Sequence, residues 1–317
     1  MQNQIENMRM VIINFIRKIN AMSLFRLAIL LLVMSSCRAQ TKPLTIQTNK
    51  DENTLLWEVT GNGLDAASYI FGTFHLMCRH DIKFSGQLTQ AVKNAGEIYL
   101  EMDMDDPSVM MGGLMLMNMK GDKKLVDLYK PGEYKRLENF FNDSLHMSLK
   151  LFGNMKPAFL ESMLYPKLMP CKDLSGVEEE LMKLAKADKK EIQGLETMEF
   201  QASVFDSISY EEQAKELLKT IDSLDSYKHS FDTMMNVYKS QQITKIEELF
   251  NKSEFGMENN QDLLLNNRNA NWVKQLKGIM KKGPVFVAVG AGHLVGGKGL
   301  IALLKNEGYK LRPLKNK

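Results

Sequence analysis

The sequence predicts an α/β protein: a central mixed sheet built from pseudo-symmetric N- and C-terminal halves, with a large helical insertion between them. Three observations carry that reading. Each end of the chain runs strand, G-x-x-H, loop, helix, glycine, strand. The stretch "GPVFVAVG" (283–290) is continuously apolar and rich in valine between its glycines, the pattern of a central strand buried on both faces. From about residue 107 to 280 apolar side chains recur three and four apart, which is the helical period.

The first 36 residues read as an export signal rather than as fold. Arg17, Lys18 and Arg26 precede the apolar run Leu27–Met34, and "SSC" follows, the order of a secretory leader. The run is too short for a permanent span of the bilayer. "MSSC" resembles a lipobox, in which Cys37 would be lipidated and become the first mature residue; Met34 stands where leucine is usual. A plain cleaved signal and an uncleaved anchor are the alternatives, and Met22 is an alternative start. Acyl chains on Cys37 would hold the chain on a bacterial membrane, facing the periplasm or the cell surface, at about 0.8 kcal/mol per buried CH₂.

Removing that leader changes the charge. Arg9, Arg17, Lys18 and Arg26 against Glu6 account for all of the whole chain's formal +3. The mature chain is therefore about neutral, and a nucleic-acid partner is not expected. Once Cys37 is set aside, Cys78 and Cys171 remain. An even pair in an oxidising compartment invites a disulfide, with two free thiols as the alternative.

The elements follow in order. Residues 37–53 are polar and aperiodic, a tether, and 54–314 read as a single domain. "LLWEV" (55–59) and "SYIFG" (68–72) are strands around the turn "TGNGLDAA". "SGQLTQAVKNAGE" (85–97) has the helical period and a glycine stop, and "IYLEMDM" (98–104) is a strand. The insertion of about 107–280 reads as a helical cap, with a short strand at Glu191–Ile192. After the valine-rich strand come "AGHLVGGKG", the helix "LIALLKNEG" and the strand "YKLRPL".

Two G-x-x-H turns after apolar strands, in a chain with five histidines, place His75 and His293 at strand ends. Ligands bind at that edge of open α/β sheets. A glycine there permits a sharp turn. Glu101 lies inside an apolar strand, where a carboxylate is costly unless paired or bound to a metal. Two histidines and a carboxylate form a familiar set for a catalytic divalent ion. The other reading of the histidines is two hydrogen-bonded turn residues. Asp103, two residues further along the same face, would orient a ligand or face solvent. Cys78 and His80 sit beside His75, but H-x-x-C-x-H lacks the second pair of a structural zinc site. Arg268, among asparagines in "LLNNRNANW", would clamp a carboxylate or oxyanion or lie on a helix surface. Glu196 and Gln201 would line the site or cap a helix. The methionines of "MMGGLMLMNMK" (110–120) read as an adaptable apolar flap rather than a copper site. "VEEE" (177–180) reads as a charged helix face or first turn, and His146 and His229 as solvent-exposed.

Together these segments resemble the TraB/GumN (PrgY, Tiki-like) family over about residues 54 to 314. "SYIFGTFHL" and "VFVAVGAGHLVGGKGLIALLKNEGY" resemble its two G-x-x-H units, and "YLEMDM" its E-L-D strand. "GLETMEFQ" is similar to its central G-L-E-T element, and "NNRNANW" to its R-N segment. The resemblance implies a fold shared distantly with erythromycin esterases and haem-binding ChaN-like proteins. Metal-dependent protease activity in animal members implies His75, Glu101 and His293 as ligands of manganese, cobalt or zinc. The expectation is a lipid-anchored metal-dependent hydrolase of peptides or small molecules. The alternative is a non-catalytic lipoprotein that binds a peptide, another ligand or haem in the same cleft. The family pattern assigns Cys78 and Cys171 no role.

Overall fold

The computed structural model describes residues 52–105, 113, 115–251 and 260–317. The expected signal, Cys37 and nearly all of the tether lie outside them, as do Met110, Met111, Gly112 and Leu114 of the methionine stretch. Among the described residues no helix is long and apolar enough to cross a membrane.

The N-terminal segment folds as β1 (Leu56–Gly61), β2 (Ser68–Thr73), the short β3 (Met77–Cys78), α1 (Gly86–Asn94) and β4 (Glu97–Met102). Ser85 starts α1 by accepting a hydrogen bond from Leu88 N–H at 3.1 Å, satisfying a donor that a helix start leaves unpaired. The middle contributes α2 (Pro131–Ser144), α3 (Pro157–Ser162), α4 (Tyr165–Leu168), β5 (Leu174–Ser175) and α5 (Val177–Ala187). Then come β6 (Glu191–Glu196), α6 (Met198–Asp206), α7 (Tyr210–Asp222), α8 (Leu224–Ser240) and α9 (Ile243–Asn251). A π-helical turn, Asp262–Asn266, leads into α10 (Asn267–Lys282), and the chain closes with β7 (Val285–Gly290), α11 (Leu300–Asn306) and β8 (Tyr309–Pro313). The strand expected at Glu191–Ile192 is longer, because β6 pairs with β4 as far as Glu196 opposite Met102.

Six strands form one mixed sheet in the order β6-β4-β7-β2-β1-β8. β6, β4, β7 and β2 run parallel, while β1 is antiparallel to both β2 and β8. Thr54 Oγ1 donates to the Leu314 carbonyl at 2.7 Å, and Leu314 N–H donates to the Leu56 carbonyl at 2.9 Å. The two ends of the described fold are thus stitched beside β1. The valine-rich strand is central, as its composition predicts. Phe286 and Ala288 pack on one face with α1, α5 and α8. Val285, Val287 and Val289 pack on the other with Trp272 and α11. Alternation of side chains along a strand requires both faces to be apolar there. A separate core of Leu125, Leu137, Phe141, Leu160, Leu164 and Leu217 holds α2, α3 and α7 together.

The two G-x-x-H strands are neighbours, but Thr73, not Gly72, stands opposite Gly290. Gly72 lies within β2, and neither it nor Gly290 takes a left-handed backbone. Space, rather than a turn conformation, demands Gly72. A Cβ on Gly72 would meet Leu294 Cδ1 at 2.8 Å and Ala291 Cα at 3.1 Å, so the turn after β7 closes directly onto β2.

Cys78 and Cys171 are joined in a disulfide with their Cα atoms 5.9 Å apart. It spans 93 residues of sequence and lies beside the small β3–β5 pair. Closing a loop of that length costs the unfolded chain much entropy, so removing a bridge of this kind costs about 2–5 kcal/mol. The Cys78→Ser/Cys171→Ser double variant should melt roughly 5–15 °C lower. An unchanged melting temperature in a thermal scan would show that the bridge stabilises nothing.

Candidate functional site

The site lies where β4, β7 and β2 end side by side. Glu101, next to last in β4, is turned toward the start of the β7 turn. Its Oε1 accepts the Gly290 N–H at 2.8 Å, and its Oε2 accepts from Arg268 Nη2 at 2.7 Å and from Gln201 Nε2 at 3.3 Å. His293 Nε2 stands 3.7 Å from Glu101 Oε1. Gly290 lies at the meeting point: a Cβ there would be 3.3 Å from Glu101 Oε1, 3.6 Å from His293 Cδ2 and 3.6 Å from His75 Nε2. The absence of a side chain at residue 290 leaves the space toward which all three groups converge.

Arg268 comes from the first turn of α10 and is 11 % exposed. Its Nε donates to both oxygens of Glu196, and its Nη2 donates to Glu196 and Glu101. Nη1 donates to the Leu264 carbonyl and stands 3.3 Å from His293 Nε2. A guanidinium has five N–H groups, and here every one has a partner within the chain. Arg268 therefore organises Glu101, Glu196 and His293 and has no donor left to clamp a substrate carboxylate. Glu196, at the end of β6, is one half of this buried pair, while Thr197 rather than Glu196 caps α6. Gln201 bridges the two carboxylates, 3.3 Å from each. Asp103 lies past the end of β4, its backbone N 2.6 Å from where a Gly194 Cβ would be. Glu101 accepts hydrogen bonds from Arg268, Gln201 and Gly290.

His75 has a partner that sequence reading misses. Its Nδ1 lies 2.7 Å from Glu178 Oε1, and Thr73 Oγ1 donates to the same oxygen at 2.5 Å. Glu178 sits in the first turn of α5, which docks on the chain after β2 through a Val177 N–H to Phe74 carbonyl bond of 3.0 Å. Gly176 makes that contact possible, since a Cβ would stand 2.7 Å from the His75 carbonyl. "VEEE" is a helix first turn as expected, but its first glutamate is buried and committed to a histidine. The helical period puts Glu178 on one face with Leu181 and Ala185, but nothing in the local sequence names its partner.

The charges are set by these neighbours. The Glu178 carboxylate raises the His75 imidazole to about 9, against the opposing effect of burial. The ring is nevertheless 72 % exposed, so water screens the pair and its contribution to stability is small. Burial disfavours ionised Glu101, but His293, His75, Arg268 and the Gly290 N–H together hold it below the ordinary carboxylate range. Burial is also the main influence on His293 and pushes its imidazole down.

The donor set fits a divalent ion in two respects. Two ligand atoms about 2.1 Å from one ion stand about 3.4–3.7 Å apart at ordinary angles, and His293 Nε2 to Glu101 Oε1 is 3.7 Å. Glu101, Glu178 and Glu196 against Arg268 also leave the cluster formally anionic. His75 is the outlying member. Among the described residues, three ligand-type atoms within 4.8 Å of one another occur at Cys78, His80 and Asp81. That group is no metal site, because the Cys78 sulfur is bonded to Cys171 and has no thiolate to offer. His80 is exposed and, like the exposed His146 and His229, lies outside the cluster.

Comparison with curated proteins and with solved structures finds no match. The model of the TraB/PrgY/gumN family matches residues 55–313. That match takes in the whole sheet from β1 to β8 and every residue of the cluster, and the chain belongs to the TraB/PrgY/gumN family.

Proposed function

We propose that this chain is a divalent-metal-dependent hydrolase, with peptides as its substrate class, working at a membrane surface to which a lipid on Cys37 anchors it. The observation that carries the reading is the convergence of His75 Nε2, Glu101 Oε1 and the His293 ring on the vacant side of Gly290. His75, Glu101 and His293 are the residues that would hold the ion. Such an ion, when bound, polarises a substrate carbonyl and lowers the pKa of a water molecule. Arg268 keeps Glu101 ionised and aimed at that space, and Glu196 balances the guanidinium from the other side. His75, its Nδ1 backed by Glu178, would present Nε2 to the ion. The export signal, pseudo-symmetric halves and a distant kinship with erythromycin esterases belong to the same proposal.

Purified mature protein should bind manganese, cobalt or zinc and cut members of a mixed peptide library followed by mass spectrometry. Chelation should stop cleavage and lower the melting temperature. At an ion concentration of ~100 Kd, binding stabilises the fold by about 2.7 kcal/mol, a shift of several degrees in a protein of this size. An ion that binds without any peptide being cut would leave a ligand-binding site. Neither ion nor cleavage would overturn the proposal, and a haem absorption band would redirect it to haem.

A further inference from the structure

The way His293 is held settles which of its nitrogens carries the proton. Asn269 is almost fully buried, and its Nδ2 donates to the Lys298 carbonyl at 2.9 Å. A carbonyl only accepts, so the amide must present its Oδ1 to the other side, where His293 Nδ1 lies 2.7 Å away. That oxygen also only accepts, so the hydrogen is on Nδ1. The opposite nitrogen agrees, through a longer contact that favours the same tautomer less strongly. Arg268 Nη1 is a donor without lone pairs, and its approach to Nε2 at 3.3 Å requires a lone pair there. Trp272, one turn further along α10, packs on the ring with centroids 4.4 Å apart. One turn of α10 thus fixes both nitrogens and one face of the imidazole.

We infer that Asn269 is a positioning residue that locks His293 as the Nδ1–H tautomer and leaves the ring's one lone pair on Nε2, where it meets Arg268 Nη1 and where a bound ion would have to displace that contact. The neutral histidine side chain in water favours the other tautomer, so the lock works against the intrinsic preference. His75 is arranged in parallel, its Nδ1 against Glu178. Acceptors on the far nitrogen of metal-binding histidines serve the same end, and losing one typically lowers metal affinity 10–100-fold. The consequence for ion binding rests on the function proposed above; the tautomer itself does not.

The test is ¹⁵N–¹H correlation spectroscopy of histidine-labelled, metal-free protein, with His293→Gln assigning the resonance. Wild-type protein should give His293 the Nδ1–H pattern, and Asn269→Leu, close in size but without an acceptor, should shift it toward Nε2–H. Manganese or zinc titrated alone should bind the variant 10–100-fold more weakly. An Nε2–H pattern in wild-type protein overturns the inference without any variant, and so does an Nδ1–H pattern that survives Asn269→Leu. Wild-type protein that binds no ion yet carries the Nδ1–H pattern would sink the metal reading and leave the role of Asn269 standing.

Discussion

Gly290→Ala should weaken ion binding and peptide cleavage while leaving the fold in place. The backbone at this residue has φ −48° and ψ 136°, which alanine adopts without strain. The added methyl would lie 3.3 Å from Glu101 Oε1 and 3.6 Å from both His293 Cδ2 and His75 Nε2. It would occupy the space beside these groups and force Glu101 to give by a few tenths of an ångström, while both histidines stay at ordinary contact distance. A misplacement of about 1 Å costs about 100-fold, so for this smaller shift a fall of roughly 10-fold in kcat/KM is expected. Melting temperature should change by no more than a few degrees. Gly72→Ala is the informative contrast, since its methyl would strike Ala291 and Leu294 and lower stability first. Isothermal titration with zinc or manganese, run beside thermal scans of both variants, separates the cases. Undiminished binding and turnover in Gly290→Ala would mean that the chemistry lies elsewhere.

Arg268→Met should be the most damaging single change to stability. The guanidinium holds Glu101 and Glu196, whose side chains are 14 % and 1 % exposed. Methionine keeps much of the volume but leaves two carboxylates in a buried site without a cation. Removing one partner of a buried pair costs about 3–5 kcal/mol, or roughly 10 °C in melting temperature here. The dependence on pH has a definite sign. Arg268 helps hold the folded-state pKa of Glu101 below its ordinary value of 4.5. That contribution is fully present above 4.5 and is lost as pH falls toward the folded-state value. The deficit of the variant should therefore be full at pH 7 and narrow on acidification, because a protonated Glu101 no longer needs a counter-ion. Urea unfolding at pH 7 and pH 4 measures it, and a deficit that is small at pH 7 or constant between the two contradicts the argument.

The regular parts of this fold were legible because they depend on local pattern. The run "GPVFVAVG" is apolar at every position since β7 is covered on both faces, and the helical period of "SGQLTQAVKNAGE" matches α1. Glu101 stood out as a carboxylate among apolar strand residues, and the paired G-x-x-H turns drew attention to His75 and His293. What the sequence concealed depends on long-range packing. The reason for Gly72 is a turn more than two hundred residues away, so a local argument from backbone freedom misses it. Glu178 shares a helix face with Leu181 and Ala185, but only the docking of α5 on the chain after β2 gives it His75 as a partner. Asn269 sits among asparagines, and its meaning depends on the Lys298 carbonyl. Arg268 was visible as a cation but not as a saturated one, since its partners come from β4, β6 and the turn after β7.

The place of β1 in the sheet has a mechanical consequence. The described chain enters the sheet at this strand, which is not at the edge but between β2 and β8. A load applied at that point of entry is carried in shear by two ladders at once. Strand β1 cannot be peeled away one hydrogen bond at a time as an edge strand can. Its neighbour β2 leads directly to His75, so a pull strong enough to extract β1 would remove one wall of the cleft in the same event. Short of that force, the cleft is insulated from drag on whatever lies upstream.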